Sequence, residues 1–173
     1  MLSQVVVTGI VALVAIQRLA EFAYSRRNEQ RLRARGAMEH APWQVPMLAT
    51  LHCVWLVSVV GEIWLMQPPF RPWIGIPAMI VFLTGQLIRV AAMRSLGDRW
   101  TVGVFTLSAT PRVTRGLYSC LRHPNYVGVA LELASLPLVH GSAVTALVFS
   151  VLNGIALSFR IDVESRALAR AEP

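Results

Sequence analysis

Polar and aromatic residues gather at the start of one apolar segment in the second half of the chain. Arg122-His123-Pro124-Asn125-Tyr126 opens this segment, and Tyr118 lies five residues before His123. Pro124 suits the first turn of a helix, where its missing N–H would have no partner anyway. The free N–H groups and the dipole at such a helix start favour an anionic or polar ligand group. The two phenol rings could stack on an adenine or face a sulfonium cation, although an interfacial aromatic belt with a capping histidine accounts for the spacing as well.

Arg160 and Glu164 are the second candidate pair. Residues four apart share one face of a helix, and taken alone they are typical of a surface ion pair. Both follow the last apolar segment of the chain. A helical hairpin would bring the end of that segment beside the start of the preceding one, so we expect His123, Tyr126, Arg160 and Glu164 to converge at one membrane face.

The elements that must position these residues are apolar segments. Hydrophobic residues form 55% of the 173 and charged residues only 14%, which is typical of a polytopic membrane protein rather than a soluble domain. The last two of five segments are short for a crossing, and only His140-Gly141-Ser142 separates them, which predicts a tight hairpin. We therefore predict an all-α fold of about five transmembrane helices. The predicted spans are Val5 to Tyr24, Val45 to Met66, Pro72 to Leu96, Tyr126 to Val139 and Ala143 to Phe159.

The arginines predict the orientation of these spans. The chain has 16 arginines and no lysine, and with five crossings thirteen of them fall on one side. Only Arg71 falls on the opposite side, so the rule that cytoplasmic loops are positive places the N-terminus outside and the C-terminus in the cytoplasm of a bacterial inner membrane. The net charge of +7 then reflects topology and some attraction to anionic lipid, not nucleic-acid binding.

The chain is predicted to form a single domain over 1–173. Residues 1–96 would form the three N-terminal spans, and residues 97–173 a loop, the hairpin and a C-terminal helix. Apolar residues such as Trp100 and Phe105 indicate that the loop from Gly97 to Arg122 is ordered and partly buried. No Gly-rich phosphate loop, zinc spacing or nucleophile motif occurs.

The other polar residues within the spans are expected to be structural. The histidines fall at three different depths, so no metal or haem site is expected, and the two cysteines suggest no disulfide. Arg18 and Glu21 are expected to pair with each other. Glu132 is expected to hydrogen-bond Asn153 and hold the hairpin together.

Taken together, these motifs resemble the isoprenylcysteine carboxyl methyltransferase family, which is related to phospholipid methyltransferases. The resemblance lies in Gly116-x-Tyr118, in Arg122-His123-Pro124-x-Tyr126-x-Gly128, in Asn153 and in Arg160-Ile161-x-x-Glu164. It covers roughly the C-terminal half, from Leu96 to Leu168, and Ser25-Arg26-Arg27-Asn28-Glu29 resembles the bacterial branch. It implies membrane helices that hold S-adenosylmethionine at the cytoplasmic face without a Rossmann sheet.

The same resemblance implies roles for individual residues. Arg160 would face the methyl acceptor and is the candidate catalytic residue, whereas Glu164 would bind the cofactor. The family often has two adjacent acids, but here Ser165 follows Glu164. The remaining residues implied to contact the cofactor are Thr110, Pro111, Arg112, Val113, Tyr118, His123, Pro124, Asn125 and Tyr126.

These expectations combine into a methyltransferase that acts on a carboxylate or hydroxyl oxygen of a lipophilic acceptor. Methyl transfer from a sulfonium needs mainly alignment and exclusion of water, and Arg160 could orient an anionic oxygen. The composition suggests a GC-rich bacterium without protein prenylation, which favours a phenolic or pyrone polyketide lipid over an isoprenylcysteine-like one. A phospholipid amine N-methyltransferase and a non-enzymatic scaffold or transporter subunit are the alternatives.

Overall fold

The protein is built almost entirely of helices. The computed structural model describes residues 1–108 and 110–171, and its only sheet within those residues is a two-stranded one. The predicted all-α class is therefore confirmed. The helices are α1 (Leu2–Ala34), α2 (Gln44–Leu65), α3 (Pro72–Leu96), α4 (Pro124–Leu138) and α5 (Ala143–Ala171), and the strands are β1 (Met38–His40) and β2 (Val104–Thr106).

Four of the described helices, α1, α2, α3 and α5, are long and apolar enough to cross a membrane. The chain is therefore a polytopic integral membrane protein. Helix α4 has 15 residues and spans about 22 Å at 1.5 Å per residue, which is shorter than a bilayer core of about 30 Å. It forms the predicted hairpin with α5.

Contacts at one end of the bundle show which helix ends lie together. Nε2 of His140, in the hairpin turn, lies 3.1 Å from the Ser3 hydroxyl near the start of α1. The Glu62 carboxylate, near the end of α2, accepts hydrogen bonds from the backbone N–H groups of Val144 and Thr145 at 3.2 and 2.7 Å. The start of α1, the end of α2 and the hairpin turn thus share one end. The starts of α2 and α4 lie at the other.

Helices α3 and α4 approach closely because glycines face each other. A Cβ atom on Gly85 would lie 2.9 Å from the carbonyl oxygen of Gly128, and a Cβ on Gly128 would collide with the Arg89 side chain. Small residues at such interfaces allow close backbone contact between membrane helices. Arg89 consequently reaches across to α4.

A buried ionic network joins α1, α3 and α4. Arg89 pairs with Glu21 at 2.5 Å and with Glu132 at 3.1 Å. Arg18 pairs with Glu21 at 2.9 Å, as expected, and also with Glu132. The expected hydrogen bond from Glu132 to Asn153 is wrong, because two guanidinium groups compensate the buried carboxylate better than one amide could.

The loop after α3 is held by α1, which extends well past its predicted span. The Asn28 side-chain amide donates to the carbonyls of Gly97 and Trp100 at 3.2 and 2.8 Å. Ser25 Oγ accepts from the Val102 backbone N–H at 2.8 Å. Strand β2, within this loop, pairs antiparallel with β1. The prediction of an ordered loop is confirmed for its described residues, and the loop brings its backbone carbonyls toward α5.

Candidate active site

The start of α4 forms one wall of the site. His123 is the N-cap residue and Pro124 the first helical residue. The backbone N–H groups of Tyr126 and Val127 both donate to the His123 carbonyl, at 3.1 and 3.3 Å. The rings of His123 and Tyr126 stack with centroids 5.4 Å apart and planes at 14°. This local turn therefore presents an imidazole and a phenol as one layered surface.

Tyr126 connects α4 to α5 through its hydroxyl group. The hydroxyl donates to the Glu164 carboxylate and accepts from Nε of Arg160 at 3.1 Å. Nδ1 of His123 lies 3.6 Å from the same Glu164 carboxylate. The four residues that the sequence predicted to converge are thus brought together, because the short hairpin turn aligns the two helices antiparallel.

Arg160 is oriented by three elements at once. Besides Tyr126, it donates through Nη1 to the side-chain oxygen of Gln44 at 3.3 Å and through Nη2 to the carbonyl of Val102. The whole residue is only 5% exposed. A guanidinium carries five N–H donors, so each terminal nitrogen retains one N–H beyond these contacts. Arg160 is therefore held in one orientation with N–H donors to spare.

Gln44 is a candidate site residue that the sequence analysis missed. It begins α2, is fully buried, and fixes Arg160 from across the bundle. The available signal was a neutral polar residue beside an apolar span at the predicted cytoplasmic end. Polar residues there are costly to bury and are commonly functional.

Buried polar atoms without a partner surround this network. Within residues 1–108 and 110–171, no hydrogen-bond partner exists for His123 Nε2, Asn125 Oδ1 or Gln44 Nε2. Leaving such groups unsatisfied costs about 1–3 kcal/mol each. His123 and Asn125 line a cavity at the start of α4, so a ligand there could bond to their unpaired atoms, whereas Gln44 does not line that cavity.

Tyr118 stands on a short 3₁₀ helix, Gly116–Ser119, and lines one cavity together with His123, Tyr126, Arg160 and Glu164. Burial raises the pKa of its phenol, and the nearby Glu164 carboxylate raises that pKa further. The hydroxyl consequently stays protonated at physiological pH and is a hydrogen-bond donor.

The loop segment predicted to contact the cofactor lies only partly at the site. Thr110, Arg112 and Val113 line the cavity. Pro111 does not, and its carbonyl instead accepts two hydrogen bonds from Arg99 at 3.1 Å each. Pro124 is likewise absent from the lining; it is buried and shapes the first turn of α4.

A cavity of about 940 Å³ is lined by most of these residues, but not by Gln44, Pro111 or Pro124. Its polar end contains the network just described. Its other part, here called the apolar leg, is lined mainly by apolar residues of α1 and α2. The leg is lined by Ala15, Arg18, Leu19, Phe22, Leu48, Ala49, His52, Cys53 and Leu56.

Comparison with known proteins identifies the family of this chain. The model of the isoprenylcysteine carboxyl methyltransferase (ICMT) family matches residues 78–170. The chain belongs to this family. Gln44 lies outside the matched segment, whereas every residue to which the resemblance assigned a role lies within it.

Two relatives of the chain match over nearly their full length. An uncharacterized protein of Bacillus subtilis, YpbQ, is 36% identical over 160 residues, covering 92% of this chain and 94% of that protein. An uncharacterized protein of Haemophilus influenzae is 27% identical over 165 residues, covering 94% of each. No solved structure gives a significant match. The family is one of membrane methyltransferases, which agrees with the helical architecture of this chain.

Proposed function

We propose that the protein transfers a methyl group from S-adenosylmethionine to a carboxylate or hydroxyl oxygen of a lipophilic acceptor. The observation that carries this proposal is the Arg160–Tyr126–Glu164 network at the polar end of a cavity whose other part is apolar. Family membership supports the methyl transfer. The shape of the cavity supports the acceptor class.

The residues at the polar end suit S-adenosylmethionine. The cofactor carries a sulfonium cation, an amino acid group and an adenine ring. Glu164 offers a carboxylate to its positive groups, and the stacked rings of His123 and Tyr126 offer an aromatic surface. The unpartnered His123 Nε2 and Asn125 Oδ1 offer hydrogen bonds. When bound, the cofactor would supply an electrophilic methyl group on sulfur.

Arg160 favours an oxygen anion as the acceptor. Its two remaining N–H donors could hold a carboxylate, a phenolate or an enolate oxygen. A carboxylate needs no base, whereas a hydroxyl must lose its proton. The same fixed positive charge would repel an ammonium headgroup, which argues against the phospholipid amine alternative. A scaffold or transporter subunit would have no use for so many unpartnered polar groups around one cavity.

The apolar leg gives the acceptor's chain a place to lie. Leu19 and Phe22 of α1 and Ala49 of α2 line the cavity and are exposed on the helix surfaces. A lipid chain could therefore enter sideways from the bilayer while its reactive head lies at Arg160. A phenolic or pyrone polyketide lipid and an isoprenylcysteine-like acid both combine a polar reactive head with an apolar chain. The distribution of arginines supports a cytoplasmic location for the polar end, in a bacterial inner membrane.

Labelled methyl transfer tests the proposal. Purified protein in nanodiscs is incubated with methyl-labelled S-adenosylmethionine and total lipid extract of the producing cells, and the products are identified by mass spectrometry. We expect a labelled methyl ester or methyl ether. The matched controls are Arg160→Ala, which should lose the product, and Arg166→Ala. Arg166 lies on the same helix, is mostly exposed and pairs only with Asp162 among the described residues. Label on an amine, or none in any lipid, would contradict the proposal.

A further inference from the structure

Arg18 and His52 are polar side chains of the apolar leg that the proposed chemistry does not use. Both line it, although they lie among leucines and alanines of α1 and α2. Their position within the membrane-crossing part of the protein makes them costly unless they have partners.

The Nε–H group of Arg18 is a buried donor without a partner among the described residues. The two terminal nitrogens of Arg18 pair with Glu21 and Glu132. The Nε–H group of an ionised guanidinium is a strong donor, and leaving it buried without an acceptor costs free energy.

His52 supplies the complementary acceptor. Nδ1 of its ring lies 2.8 Å from the Leu48 carbonyl oxygen, which can only accept, so Nδ1 carries the proton. In the neutral imidazole the other nitrogen, Nε2, is then an acceptor. Two residues that line the apolar leg, one on α1 and one on α2, therefore carry a donor and an acceptor.

Both groups lie at a similar depth below the polar end. Arg18 pairs with Glu132, which is six residues along α4 from Tyr126 and hence about 9 Å further along the helix axis. His52 is eight residues along α2 from Gln44, the partner of Arg160, and hence about 12 Å further. The two independent estimates agree to within one helical turn.

We propose that Arg18 and His52 form a second polar subsite, which recognises a hydroxyl group in the acceptor's chain about 9–12 Å from the oxygen that is methylated. A hydroxyl both accepts and donates, so one group can bond to Arg18 Nε–H and to His52 Nε2. This inference rests on the proposed function for the location of the acceptor's head. It narrows the acceptor class to lipids with an oxygenated chain, since a plain hydrocarbon chain would leave both polar groups unpaired.

Binding of two synthetic phenols tests the subsite without any turnover. Both carry the same saturated chain, and one has a hydroxyl on that chain about 9–12 Å from the phenol oxygen. Their affinities are measured by partitioning between nanodiscs that contain the protein and empty nanodiscs. We expect the hydroxylated phenol to bind about tenfold more tightly, as one good hydrogen bond to a charged group allows.

Three variants test whether Arg18 and His52 cause the tighter binding of the hydroxylated phenol. His52→Leu removes the acceptor, and Arg18→Lys keeps the charge beside Glu21 and Glu132 but removes the Nε–H donor; each should reduce the preference to about twofold or less. Val54→Ala, on an exposed part of α2, should keep it. Each variant is first checked for native helicity and melting temperature. If Arg18→Lys is unstable, His52→Leu alone decides.

The outcomes separate this subsite from the proposed function. Equal binding of the two phenols by the wild-type protein, no saturable binding of either, or an unchanged preference in His52→Leu would overturn the subsite. Calorimetry with S-adenosylmethionine on the same preparations tests the methyl donor independently. A hydroxyl preference without cofactor binding would therefore keep the subsite and reject the methyltransferase proposal.

Discussion

Replacing Arg160 by lysine separates charge from geometry. The guanidinium bonds simultaneously to the Tyr126 hydroxyl, the Gln44 side-chain oxygen and the Val102 carbonyl. An ammonium group has one nitrogen and cannot reproduce this planar arrangement. Lysine would keep the positive charge but would not hold a donor in a fixed direction toward the acceptor.

The expected loss follows from one charge-assisted hydrogen bond. Such a bond contributes about 1.5–3 kcal/mol, and about 1.4 kcal/mol corresponds to a tenfold change in rate. Arg160→Lys should therefore lower kcat/KM for the acceptor by about 10- to 150-fold. The Kd for S-adenosylmethionine should change by less than about threefold, because Glu164, His123 and Asn125 remain in place.

The assay is initial-rate methyl transfer in nanodiscs at saturating S-adenosylmethionine, with the cofactor Kd measured by calorimetry on the same sample. Arg166→Lys is the matched control and should behave as wild type, since Arg166 is mostly exposed. Near-wild-type turnover by Arg160→Lys would refute the geometric reasoning. A cofactor affinity that falls as much as the rate would instead place Arg160 at the cofactor.

Three other perturbations test separate parts of the account. Glu164→Gln removes the carboxylate charge and should weaken S-adenosylmethionine binding about tenfold or more. The control Asp162→Asn should bind the cofactor as wild type does. If calorimetry gives Glu164→Gln the same cofactor affinity as wild type, the role of Glu164 is contradicted. Gly85→Ala should destabilise the protein by about 1–3 kcal/mol, because its Cβ would meet the α4 backbone. Gly154→Ala, whose Cβ would meet nothing within 4 Å, should leave stability unchanged. Equal unfolding midpoints in detergent for the two variants would argue against the close packing of α3 on α4. Because the pKa of Tyr118 is raised, its contribution to stability is present below about pH 10 and is lost as pH rises further. The melting temperature of Tyr118→Phe should therefore fall less than that of wild type when the pH is raised above about 10. Identical falls in the two proteins would contradict this.

The sequence predicted the core of the site because local chemistry and one short connection determine it. Three residues between two apolar segments leave room only for a hairpin, and a hairpin places His123 and Tyr126 next to Arg160 and Glu164. Pro124 marks the helix start independently. These are short-range constraints, which a sequence expresses directly.

Contacts between distant segments were harder to predict. Gln44 reaches Arg160 from 116 residues away, and that contact depends on how α2 packs against α5. The partner of Glu132 was wrongly predicted to be Asn153, although Arg89 within an apolar span was a signal that a buried carboxylate was needed nearby. Hydropathy also located only the apolar part of α1, whose polar continuation holds the loop around Trp100.

Calorimetric titration of S-adenosylmethionine into the wild-type protein and Glu164→Ala is the most direct test of the central claim, that the pocket at the start of α4 holds this methyl donor. The account predicts saturable binding of the cofactor and of S-adenosylhomocysteine at about micromolar Kd, which corresponds to about −8 kcal/mol, and loss of most of that affinity in Glu164→Ala. A folded wild-type protein that binds neither compound, or a Glu164→Ala variant that binds both as tightly as wild type, would contradict it.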